Sequence, residues 1–247
     1  MNILPVIDLM NRRVVRGVAG RRDDYQPLRS DLTVSTEPLA VARALREHFG
    51  LTTLYLADLD AIRHRQPCCD VYQMLLADQF DLLVDAGLRE FEFGEWLSAR
   101  GVCGVIAGLE TCPGPTWLAE LCRRLPPGAV VFSLDLLSGR VLGNSTPWKT
   151  IEPISIARQA VACGVERIIV LDLCQVGIPG GLVTTALCGQ LRAEFPKLGI
   201  MSGGGVRGGG DLDEGARLGL DAVLVASALH DGRITRQEVA RFTGCPT

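Results

Sequence analysis

The chain has few of the residues from which metal and redox centres are built. Its 247 residues include three scattered histidines, His48, His64 and His230, and nine cysteines with no Cys-x-x-Cys pair. No zinc-ligand spacing appears, so no metal and no cofactor is expected, and the thiols read as reduced and mostly buried. No apolar run approaches the roughly 18 residues that span a bilayer. Positive charge is not in excess either: the net charge of −3 argues against a nucleic-acid or anionic-membrane partner. The N-terminus enters an apolar strand pattern without a basic region and a signal core, and the expected location is the cytoplasm. What is plentiful is apolar residues, 47% of the chain, enough for a sizeable core.

Those apolar residues repeat. Pro5-Val6-Ile7-Asp8-Leu9 and Phe132-Ser133-Leu134-Asp135-Leu136 are apolar runs holding one aspartate each, both followed by a short second strand pattern, and they stand about half the chain apart. Leu56-Ala57-Asp58 pairs in the same way with Val170-Leu171-Asp172, and Asp85-Ala86-Gly87-Leu88-Arg89 with Gly203-Gly204-Gly205-Val206-Arg207. Strands are predicted near 3–8, 52–58, 80–84, 103–107, 129–135, 166–172, 198–202 and 221–225. Helical patterns fill 38–49, 70–78, 90–100, 115–124, 153–163, 183–194, 211–218 and 235–243, with Thr36 and Asp211 as start signals. Eight βα units of α/β class without a linker predict one (β/α)8 TIM barrel over 1–247, made of half-barrels at about 1–125 and 126–247. A doubly wound sheet is the alternative. The repeated strand-end aspartates argue against it, since equivalent strand ends of a closed barrel face one mouth.

The candidate chemistry lies at those ends. Asp8 and Asp135 stand on opposite sides of a barrel, where two carboxylates serve as general acid and general base if their surroundings separate their proton affinities. Gly203-Gly204-Gly205 after the seventh strand lets backbone N–H groups approach a phosphate closely, and Ala226-Ser227 after the eighth would add donors at a helix start. The first-half counterpart is Gly87, Arg89 and Gly108, but Asp85 and Glu110 stand where an anion would sit. Asp172 precedes a glycine-containing loop and is a candidate substrate contact; for Asp58 a loop-orienting role weighs equally. The long Arg-, Asp- and Gly-rich segment from Gly17 to Thr36 reads as a flexible loop covering the mouth.

Pro5-x-Ile7-Asp8-Leu9, Val14-Val15-Arg16, Leu56-x-Asp58-Leu59, Leu134-Asp135, Ser202-Gly203-Gly204-Gly205-Val206 and Gly232-Arg233-Ile234-Thr235 resemble the histidine-biosynthetic half-barrel family. That family comprises ProFAR isomerase (phosphoribosylformimino-5-aminoimidazole carboxamide ribotide isomerase) and the cyclase subunit of imidazole glycerol phosphate synthase. The resemblance runs from Leu4 to about Thr243. It implies a phosphosugar substrate and an Amadori rearrangement of aminoaldose to aminoketose, with acid and base roles on Asp8 and Asp135. Ile7-Asp8-Leu9 is similar to the isomerase pattern and differs from the cyclase's.

The departures are specific. The family's Thr-Asp-Ile-x-Arg-Asp-Gly-Thr after strand 6 reads Leu171-Asp172-Leu173-Cys174-Gln175-Val176-Gly177-Ile178 here, and its Gly-Gly-Gly-x-Arg after strand 3 reads Asp85-Ala86-Gly87-Leu88-Arg89. Arg22-Asp23-Asp24-Tyr25-Gln26-Pro27-Leu28 looks like the loop of an isomerase-related branch that accompanies one-carbon cofactor pathways. Three functions follow as expectations: an Amadori-type isomerase, a diverged enzyme on a singly phosphorylated substrate in methanopterin- or methanofuran-type synthesis, or a non-catalytic phosphometabolite-binding barrel. The expected partner is a small phosphorylated molecule. The sequence leaves the oligomeric state open.

Overall fold

The computed structural model describes residues 1–143 and 145–243. Eight parallel strands form its wall: β1 (Asn2–Met10), β2 (Thr53–Asp58), β3 (Asp81–Asp85), β4 (Gly104–Gly108), β5 (Val130–Leu137), β6 (Arg167–Asp172), β7 (Gly199–Gly203) and β8 (Ala222–Val225). Each pairs with the next, and β8 returns to β1 with Asn2 opposite Ala222 and Pro5 opposite Val225, so the sheet closes. The chain is a (β/α)8 barrel, as the strand pattern predicts. β1 and β5 each turn back through a short antiparallel strand, Arg13–Arg16 and Arg140–Val141, which makes the two halves correspond in detail.

Among the described residues eight longer helices lie outside, α1 (Pro38–Phe49), α2 (Cys69–Ala77), α3 (Phe91–Ala99), α4 (Pro115–Arg124), α5 (Pro153–Ala162), α6 (Thr185–Glu194), α7 (Gly209–Arg217) and α8 (Arg236–Thr243), and two short ones, Leu59–His64 and Ser227–His230, follow β2 and β8. Pro38, Pro115 and Pro153 open three of them at the position where a missing N–H has no consequence. Thr36 does not cap α1; Glu37 precedes Pro38 there. Asp211 is not a helix start either, because α7 begins two residues earlier and Asp211 accepts from the backbone N–H and guanidinium of Arg207.

Side chains alternate across each strand, and two buried layers result. Outward residues such as Ile7, Leu56, Val84, Leu134 and Val170 pack beneath the helices. Inward residues such as Leu4, Tyr55, Leu83, Ile106, Val131, Ile169 and Leu224 fill the barrel. This parity decides which strand-end aspartates reach the interior. Asp8, Asp85 and Asp135 share the inward register; Asp58 and Asp172 share the outward one. Cys245 lies outside the described residues; the other eight cysteines are free, Cys68, Cys112 and Cys188 being buried. Among the described residues, no helix is long and apolar enough to cross a membrane.

Candidate active site

A cavity opens at the C-terminal ends of the strands. Asp8, Asp85 and Asp135 line it from three strands, with Tyr55, Glu110, Arg22 and Tyr25, and Gly204, Gly205, Val206, Ala226 and Ser227 line it from the loops after β7 and β8. Asp8 and Asp135, singled out for acid–base chemistry, therefore meet Gly204, Gly205, Ala226 and Ser227 of the expected cradle in one space, while Gly203 is not among the lining residues.

Burial dominates the proton affinities there. It pushes Asp8 up to about 7, with Arg22 pulling back and the nearby Asp85 adding to the rise. It pushes Asp135 up to about 7 as well; Asp85 raises it further, while the Ser133 hydroxyl, donating at 2.8 Å, opposes the rise. Asp85 is also raised by burial, although the Gly87 N–H donates to it at 3.0 Å and the Tyr55 hydroxyl at 3.3 Å. Burial and the neighbouring carboxylates hold Tyr55 far above the usual phenol range.

The glycines after β7 take backbone shapes that side chains resist, with φ of 80° at Gly204 and 77° at Gly205. Gly203, fully buried, packs against the Leu224 backbone: a Cβ on it would lie 2.6 Å from the Leu224 carbonyl oxygen. Arg233 braces this side from behind, donating to the Val206 carbonyl at 2.9 Å and the Ser227 hydroxyl at 2.8 Å. The Gly232-Arg233 motif thus ties the β7 and β8 loops together.

The remaining sequence candidates lie elsewhere. Asp172 is 4% exposed and accepts from the N–H groups of Ser138, Gly139 and Cys174, so its carboxylate organises the β5 and β6 loops. Asp58 does the same in the first half, accepting from the N–H groups of Ala61 and Cys68 and from the Tyr72 hydroxyl. Arg89 turns away from the cavity and donates to the carbonyls of Gly87 and Ile62, lining a separate groove with Gly87. Gly108 sits behind Asp135, whose Oδ2 would lie 3.6 Å from a Cβ added there. Asp58→Ala strands three buried donors and should cost about 2–4 kcal/mol of stability, read as a lower urea midpoint.

The loop after β1 closes the mouth. Its Ala19 N–H donates to the Val176 carbonyl at 2.7 Å, and Gly177 approaches so closely that a Cβ there would lie 1.9 Å from the Gly17 carbonyl oxygen. Arg22 reaches across to Glu110 in a two-pronged ion pair at 2.9 and 2.7 Å, and Asp23 pairs with Arg63 at 2.7 Å. Arg22 and Tyr25 are site residues that motif reading missed, because they lie in an irregular loop whose path no periodicity discloses.

A family model described as histidine biosynthesis protein matches residues 2–235. The chain belongs to that family. Among its relatives is an uncharacterised protein of Methanocaldococcus jannaschii, 31% identical over 99% of this chain and 100% of its own length. Others are named 1-(5-phosphoribosyl)-5-((5-phosphoribosylamino)methylideneamino)imidazole-4-carboxamide isomerase, a synonym of ProFAR isomerase. The one from Parasynechococcus marenigrum is 30% identical over 100% of this chain and 95% of its own length. The one from Pseudomonas fluorescens is 28% identical, with 98% of each chain covered. Membership of this histidine-biosynthesis family, with relatives named as isomerases, supports an enzyme of isomerase type.

Proposed function

We propose that this protein is an Amadori-type isomerase of an aminoaldose bearing one phosphate, with Asp8 and Asp135 as the acid–base pair. The observation that carries the reading is that these two carboxylates line one cavity and that burial brings each to about 7. Burial does not separate the two as expected, but with both at about 7 a share of molecules near neutral pH holds one carboxyl protonated and the other ionised, as acid–base catalysis requires. The protonated carboxyl gives its proton to the sugar ring oxygen as the C1–O bond breaks, which leaves an iminium ion. The ionised carboxylate takes the C2 proton and gives an enolamine, whose return to the keto form places a proton on C1. No electrons enter or leave.

A single phosphate suits the charges. The β7 and β8 loops contribute no acidic side chain to the cavity, whereas the first half contributes Asp85 and Glu110 besides Asp8. A phosphate dianion about 4 Å from one carboxylate meets several kcal/mol of repulsion even at an effective dielectric of about 20. Arg22 is already engaged by Glu110.

The test is to incubate the protein with ribose 5-phosphate and a primary amine in heavy water. The expected product is a 1-amino-1-deoxyribulose 5-phosphate with solvent deuterium at C1. Absence of any ketose, and of exchange at C2, across a panel of aldosylamine phosphates would overturn the reading. Full growth of a histidine auxotroph lacking the isomerase would overturn its single-phosphate part.

A further inference from the structure

The acidic groups of the cavity all come from the barrel frame: Asp8 on β1, Asp85 on β3, Glu110 just past β4 and Asp135 on β5. The cation among the lining residues, Arg22, comes from the loop that crosses the mouth. We propose that Arg22 is the positioning residue of the acid–base pair, strapped over the cavity by Glu110 so that its positive charge keeps Asp8 and Asp135 able to ionise. This rests on the reading of those two as acid and base.

The geometry separates this role from a simple loop staple. Arg22 is fixed on both sides: its guanidinium is gripped by both oxygens of Glu110, and its loop is anchored by Ala19 to Val176 and by Asp23 to Arg63. Asp8 faces Tyr25 from the same loop and Asp85 from β3; Asp135 faces Ser133 from its own strand, Asp85, Glu110 and Tyr55. The other groups here are acids or hydroxyls, so Arg22 supplies the positive charge that opposes their mutual repulsion. Its pull on both aspartates is opposite in sign to that of burial. Without it, both carboxyls would stay protonated to higher pH and the base would be lost first.

The experiment follows carboxyl carbon shifts of Asp8 and Asp135 against pH in ¹³C-aspartate-labelled full-length protein, assigned by the two Asp→Asn variants. It needs no substrate, so its outcome stands apart from that of the isomerase reading. In Arg22→Met both midpoints should rise, that of Asp8 by about one unit and that of Asp135 by less, and Arg22→Lys should restore most of the difference. Arg21→Met removes the same charge from the neighbouring exposed residue, which pairs with Asp24 at 3.1 Å, and should leave both midpoints in place. In the amine and ribose 5-phosphate assay the acid limb of the rate profile should move up in step, with about threefold less activity at pH 7 and about tenfold less well below it. Unmoved midpoints in folded Arg22→Met, or equal shifts in Arg21→Met, would overturn the proposal.

Discussion

Asp8→Asn and Asp135→Asn should each slow aminoaldose isomerisation by about 10²–10⁴-fold and, at the same time, make the fold more stable above pH 7. The first effect is loss of a proton carrier. The second follows from linkage. Each aspartate has a folded value near 7, above its ordinary 3.8. Between those values the native state keeps a proton that the unfolded chain has released. Stability therefore falls as pH rises through that window, and the penalty is complete above about pH 7. Asparagine carries no such penalty. Urea midpoints at pH 4 and pH 8 check this: variant and wild type should nearly coincide at the lower pH and separate at the higher, with the variants ahead. Retained activity, or variants weaker than wild type at pH 8, would contradict it.

Gly204→Val should abolish binding of ribose 5-phosphate, weakening it by about a hundredfold or more, equal to about 2.7 kcal/mol. A Cβ there would lie 3.3 Å from the Asp172 carbonyl oxygen and from the Leu171 side chain, at a φ of 80° that a β-branched residue resists. The strain costs about 1–3 kcal/mol by itself, so stability must be measured beside affinity. Gly219→Val is the matched control: its φ of 72° imposes similar strain, and it lies beside Arg192, outside the cavity lining. Titration calorimetry should find binding lost in the first variant and kept in the second. Equal affinity in both would remove the glycine cradle from the site.

The barrel was legible in the sequence because every strand is an apolar run bounded by turn residues, and the structure places each within two residues of its expected limits. That Asp8, Asp135, Gly204 and Gly205 lie at one rim was legible because glycine runs and strand-end aspartates are local signals. Asp172 shows where locality misleads. It ends β6 just as its counterpart Asp58 ends β2, yet both lie one residue past the inward-facing Leu171 and Ala57. Counting alternation from those residues would have assigned both to the outward face, where they gather loop N–H groups. Arg89 misleads for another reason. A cation close after a strand suits an anion, but the short helix Leu59–His64 offers it the Ile62 carbonyl, and only packing reveals that. For Arg22 the long loop was a local signal, but its partner Glu110 stands 88 positions away and no local pattern discloses it.

Gly177 meets the Gly17 carbonyl backbone to backbone, while the Val176 side chain packs on Gly17 beside that contact. A single methyl group at residue 177 would act there as a doorstop, holding the two loops apart by about its own width. The proposed chemistry depends on four acids and one arginine, but how closely the loops above it meet rests in part on two residues that contribute no side-chain atoms.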